Sequence, residues 1–144
     1  VQRGGKEVAV FSAPRVVLAS TGPLSSEQTE VATVATLRDD GVEAVYAGMG
    51  QSPEAIVRAV LQEDADVLGV YLTRPEDVPV VEAVLALLEE QGAEDVTVVV
   101  AGEMPAALEK RLEAVGVARV LCADGAAAGV ASYVKTVARR REER

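Results

Sequence analysis

The sequence predicts an α/β fold: a single doubly wound, five-stranded parallel sheet. Three observations carry this. Short apolar runs rich in Val, Leu and Ala recur along the 144 residues, as strands buried on both faces must. Between them lie longer stretches whose apolar residues share one helical face. Gly, Pro and Ser punctuate the junctions where helices start and stop. Parallel strands joined by helices cross over right-handed, so the repeated β-α units imply the flavodoxin-like (Rossmann-like) order 2-1-3-4-5.

Residues 1–14 contain glycines and end in Ala13-Pro14; they read as an arm preceding one domain over residues 15–144. Arg15 to Ala19 is the first strand, and Ser20-Thr21-Gly22-Pro23 is a loop. Ser25 or Ser26 caps a helix that runs to about Asp40 and is closed by Gly41. Val42 to Ala47 is the second strand. Ser52-Pro53-Glu54 starts a helix, a capping hydroxyl followed by proline at the first helical position. Ile56, Val57, Val60 and Leu61 lie on one face of that helix. Asp66 to Leu72 is the third strand, Pro75 to Gln91 a helix, Val96 to Ala101 the fourth strand, Pro105 to Val115 a helix, Ala118 to Leu121 the fifth strand, and Ala126 to about Arg141 the last helix.

Composition removes whole classes of function. Net charge is −9, which disfavours nucleic acid and anionic membrane, because phosphate binding needs clustered cations. The one basic cluster, Arg139-Arg140-Arg141, suits the negative pole of a helix end. The absence of histidine excludes Ser-His-Asp and Cys-His catalysis and histidine ligation of a metal. A lone cysteine, Cys122, precludes an intrachain disulfide and fits a cytoplasmic location. No run is long and apolar enough to span a membrane.

In this fold ligands sit at the carboxyl ends of the strands, so function must be sought in Ser20–Ser26, Ala47–Ser52, Tyr71–Asp77, Ala101–Pro105 and Cys122–Ala128. Their acids, Glu27, Glu76, Asp77, Glu103 and Asp124, form no pair imposed by spacing, and they read as helix-start carboxylates near positive dipole ends. Cys122 reads as a small core residue, with no basic neighbour to activate it. Phosphoacceptor chemistry needs acids after the first and third strands and a lysine after the fifth. Those places hold Ser20-Thr21, Leu72-Thr73 and Cys122-Ala123. A flavin ring would find only Tyr71 to stack on.

From Val16 onward, four blocks (Leu37–Gly48, Gln51–Gly69, Gly92–Val100 and Leu112–Ala118) resemble the cobalamin-binding domain of acyl-CoA mutases, the methylmalonyl-CoA mutase type above all. The blocks are fold-forming, and they identify a scaffold. The specific part of the resemblance lies in the ligand motifs. That family carries D-x-H-x-x-G after the first strand, its histidine ligating cobalt and its aspartate orienting the histidine. In register this chain has Leu24, Ser26 and Thr29. A serine is a poor substitute for an imidazole, and Leu24 cannot orient one. The family's S-x-L, whose serine lines the slot for the displaced nucleotide tail, reads Tyr71-Leu72-Thr73. If its side chain points into that slot, the Tyr71 ring occupies the tail's volume. Its Gly-Gly pair reads Ala101-Gly102, and Asp124-Gly125 puts a negative charge near the path of the tail's phosphate.

The resemblance therefore implies a corrinoid-type site formed by Ser20, Thr21, Gly22, Leu24, Ser26, Thr29, Tyr71, Thr73, Ala101, Gly102, Asp124 and Gly125 as positional equivalents, with no catalytic and no metal-ligating residue. The leading expectation is a non-catalytic domain without cofactor that acts by association, as a homodimer or on a mutase-type catalytic subunit. One alternative is a module that holds cobalamin base-on and serves a carbon-skeleton isomerase. Another is weak anion binding by Ser20, Thr21, Ser25 and Ser26 beside a helix start.

Overall fold

The structure, a computed structural model, describes residues 14–21, 34–72, 74–102, 104–121, 132–134 and 136–137. Apart from Pro14, the expected arm lies outside these residues, as do the helix start at Ser25 or Ser26 and the cluster Arg139-Arg140-Arg141. Five strands are described: β1 (Arg15–Ser20), β2 (Glu43–Met49), β3 (Val67–Tyr71), β4 (Thr97–Ala101) and β5 (Arg119–Leu121). All pair in parallel, in the spatial order β2-β1-β3-β4-β5. This is the flavodoxin-like arrangement expected from the sequence. Every strand agrees with its expected position to within two residues.

The helices are α1, described over 34–39; α2 (Pro53–Glu63), α3 (Val78–Glu90) and α4 (Ala106–Val115); and α5, described at 132–134 and 136–137. α2 begins as the sequence predicts. The Ser52 hydroxyl oxygen accepts from the Ala55 N–H at 3.1 Å, and Pro53 takes the first helical position. α2 ends on Asp64 in the left-handed conformation, φ 52°, where no glycine marks the stop. The stretch expected as one helix from Pro75 starts instead as a 3-10 turn, Pro75–Asp77, before α3 proper.

The sheet divides the core into two layers. Toward α2, α3 and α4 point Val17, Ala19, Leu68, Val70, Val98 and Val100, which meet Ile56, Val57, Val60, Val81, Val84, Leu88 and Leu112. Toward α1 and α5 point Val16, Leu18, Val67, Tyr71, Val99 and Ala101, which meet Val34, Leu37 and Val134. Each buried Val or Leu contributes about 1.5–3 kcal/mol relative to exposure. Gly69 serves the second layer: a Cβ there would come within 2.7 Å of Leu18 Cδ2, so its missing side chain is the room that Leu18 fills. Leu61 stands at the exposed margin of the apolar face of α2. It is 44 % exposed, whereas Ile56, Val57 and Val60 are buried. The spacing of 60 and 61 puts them about 100° apart on the helix, and only the first faces the sheet.

β1 is tied down at its start. There the Arg15 N–H donates to Asp66 Oδ2 at 2.9 Å. The Arg15 guanidinium reaches Glu43 Oε1 at 3.2 Å and the Glu63 carbonyl at 3.0 Å. At its far end the register with β2 slips between Leu18↔Tyr46 and Ala19↔Gly48.

Candidate functional site

The ends of the strands fix a row of side chains. Pairing places Ser20 beside Tyr71, Tyr71 beside Ala101 and Ala101 beside Leu121. Paired residues of parallel strands point to one face, so the row Ser20–Tyr71–Ala101–Leu121 lies on the face covered by α1 and α5. Three residues singled out from the sequence thus come together. Three of its four members are buried, Ser20 at 0 %, Tyr71 at 5 % and Ala101 at 2 % exposed, and Leu121 is half-buried. The Tyr71 ring packs in the same layer as Leu18, Leu37, Val99 and Val134, with Tyr46 and Tyr133 at its margin.

Beyond the row the chain turns outward. The Thr21 N–H donates to the Tyr71 carbonyl at 3.0 Å. The Leu72 N–H donates to the Ala101 carbonyl at 2.8 Å, and the Gly102 N–H to the Leu121 carbonyl at 2.9 Å. Gly102 has φ +151°, and a Cβ there would stand 2.5 Å from the Leu72 carbonyl oxygen. This glycine is therefore demanded by the neighbouring loop's own backbone. The Gly50 N–H donates to the Ser20 carbonyl at 3.0 Å, which stitches the loop after β2 to β1.

One group here was not distinguished from its neighbours by sequence reasoning. Asp77 was grouped with the helix-start carboxylates, yet its side chain makes no capping hydrogen bond to α3. Instead Arg74 holds it with two bonds, Nε to Oδ2 at 3.2 Å and Nη2 to Oδ1 at 2.9 Å. The Asp77 side chain is 9 % exposed and that of Arg74 56 %. Hydrogen bonding from Arg74 holds the Asp77 carboxyl below the usual carboxylate range; burial pushes the other way, and a hydrogen bond with Thr21 adds to the lowering. The readable signal was an arginine three residues ahead of an aspartate across a proline, Arg74-Pro75-Glu76-Asp77.

Burial weighs against the expectation of anion binding at Ser20, which is sealed from solvent. Gly22, Leu24, Ser26, Thr29, Thr73, Asp124 and Gly125 lie outside the described residues, as do Ser25 and Cys122. Among the described residues there is no group of three or more Cys, Asp or Glu able to hold a metal. No helix among them is long and apolar enough to cross a membrane.

Comparison with known proteins gives a consistent picture. The sequence model of the B12 binding domain family matches residues 15–131. The chain is 39 % identical over 111 residues to the 2-hydroxyisobutanoyl-CoA mutase small subunit of Aquincola tertiaricarbonis, an alignment spanning 76 % of this chain and 81 % of that protein. It is 31 % identical over 106 residues to the pivalyl-CoA mutase small subunit of Xanthobacter autotrophicus, covering 74 % of this chain and 71 % of that one. Among solved structures, a cobalamin-binding protein from Desulfitobacterium hafniense superposes with a TM-score of 0.67 at 19 % identity, over 88 % of this chain and 58 % of that one. A Francisella response regulator receiver domain superposes with a TM-score of 0.69 at 11 % identity, over 89 % and 98 %. At such identities the two structures share the fold and nothing more specific.

Proposed function

Because the chain belongs to the B12 binding domain family, we propose that it is a member that has given up protein ligation of cobalt and acts, without catalysis of its own, by association with a mutase-type catalytic subunit. The observation that carries this reading is the buried Tyr71 ring. It fills the layer between the sheet and α1 and α5 at the position where the family it resembles has a small serine beside the nucleotide tail. The chain has no histidine to ligate cobalt from below, and a buried tyrosine where that family has a serine supports the reading that a displaced tail is not accommodated. The family's protein-ligated binding mode therefore does not fit this chain.

A partner of mutase type is supported by the two relatives, each named as the small subunit of a coenzyme A mutase. A small subunit implies a larger one, and the chain covers most of both relatives. Two measurements test the reading. After mixing with hydroxocobalamin and desalting, the protein should emerge colourless; retention at one corrinoid per chain with a protein-ligated spectrum overturns it. In mass measurement by light scattering, the chain should form a complex with a cognate large mutase subunit. A strict monomer with and without that subunit would refute association.

The second reading, a module holding cobalamin base-on, draws support from the family itself. In the base-on form the nucleotide tail stays folded under cobalt, so the tail slot is not required. Retained colour with a base-on spectrum, unchanged in Tyr71→Phe, is the result that selects it over the first.

A further inference from the structure

α3 is more apolar than its place on the sheet requires. Its buried stripe is Val78, Val81, Val84 and Leu88. Between them lie Pro79, Val80, Ala83, Ala86 and Leu87, and Glu82 is the one charge from Val78 to Leu88. A helix that packs by one stripe ordinarily carries polar residues on the rest of its surface. α2 packs alongside α3 and brings Leu61, which at 44 % is the most exposed large apolar residue among those described. Leu61 and Leu87, with Val57, line a groove of about 310 Å³ between the two helices. That volume stands at the bottom of the range for small-molecule sites, about 300–1,000 Å³, and suits the side chains of a docking protein.

Charge selects the partner. α2 and α3 each follow a strand of one parallel sheet, so both run back to its amino edge. There α2 is capped by Asp64 and α3 ends in Glu90. Each acid comes three residues after a groove leucine, a spacing that keeps it on the leucine's side of the helix. The carboxyl end of a helix is its negative pole and favours cations, yet neither last turn holds a basic residue. Neither carboxylate forms an ion pair among the described residues. A second copy of the chain would set acid against acid: net charge is −9, and Arg58 is the one cation among the described residues that line the groove. The complementary surface is an apolar anchor flanked by Lys or Arg.

We propose that the α2–α3 groove is the docking face for the mutase-type catalytic subunit, which seats an apolar side chain between Leu61 and Leu87 and sets Lys or Arg over Asp64 and Glu90. This rests on the association read above and adds the surface through which it occurs.

The test is calorimetric titration of the full chain with the cognate large subunit. Leu61→Gln, at a site exposed enough to leave folding intact, should weaken binding about tenfold. Val115→Gln on α4 alters a residue 42 % exposed on another surface and should bind as wild type. Asp64→Asn combined with Glu90→Gln should weaken binding about tenfold at about 0.05 M salt and less than about threefold at about 0.5 M, where screening already removes the attraction. Wild-type affinity in Leu61→Gln, an equal loss in Val115→Gln, or indifference to the neutralised acids overturns the docking face while the association stands. So does a homodimer that Leu61→Gln dissolves, which would give the groove to a second copy. No complex with the wild-type chain overturns the face and the association together.

Discussion

Position 102 cannot be anything but glycine without moving the chain. With φ +151° and the Leu72 carbonyl oxygen 2.5 Å from where a Cβ would go, Gly102→Ala should cost about 1–3 kcal/mol, measurable as a lower urea midpoint at unchanged slope. The glycine was visible in the sequence, but its reason was not. The contact that excludes a side chain comes from the segment after β3. Asp77 carries a similar lesson. Its folded pKa is lowered, so its contribution to stability is present at neutral pH. It is lost as pH falls from about 4, the ordinary carboxylate value, through the folded value. Asp77→Asn should therefore be less stable than wild type at pH 7, and the two should converge well below pH of about 4. Residue spacing could bring Arg74 and Asp77 within reach of each other, but their meeting with Thr21 depends on the side-by-side placement of β1 and β3, which only the fold supplies.

Among the elements, boundaries marked by chemistry were legible and those set by packing were not. Ser52 and Pro53 announced the start of α2, and Ser52→Ala should cost about 1 kcal/mol of stability. The stop at Asp64 carried no such mark, because an aspartate in the left-handed conformation looks like any other in a sequence. Leu61 stands at the exposed margin of the same face, because a run of apolar residues at 56, 57, 60 and 61 leaves the width of the buried stripe open. The contact between α3 and α4 shows which kind of interaction carries weight. The Arg111 guanidinium donates to both Glu82 oxygens, at 2.8 and 3.1 Å, with its side chain 51 % exposed; Arg111→Ala should cost less than about 1 kcal/mol. Leu112, next to it and fully buried, should cost about 2–5 kcal/mol when cut to alanine. Thermal unfolding of the two variants side by side checks the ordering.

For the molecule as a whole, strand order and layering followed from the alternation of apolar runs and helices, because right-handed crossovers leave few ways to arrange five parallel strands. What alternation could not say is which way one ring turns. Tyr71 shares its face with Val67 and Gly69 by strand periodicity, yet its burial under α1 and α5 depends on helices far from it in sequence. Tyr71→Ser should lower stability by about 3–5 kcal/mol, the range for emptying an aromatic-sized volume in a core.

One of the two edge strands, β2, carries a consequence for the protein in crowded solution. The Glu43 N–H points inward to the Pro14 carbonyl, so alternation turns the Ala44 carbonyl to the open edge. There the Arg38 guanidinium takes it with two bonds, at 3.2 and 3.0 Å. Farther along, the slip at Gly48 interrupts the straight line of the same edge. An incoming extended peptide finds one of its acceptors already occupied and the rest out of step. Fibril growth by stacking chains on this strand is thereby discouraged.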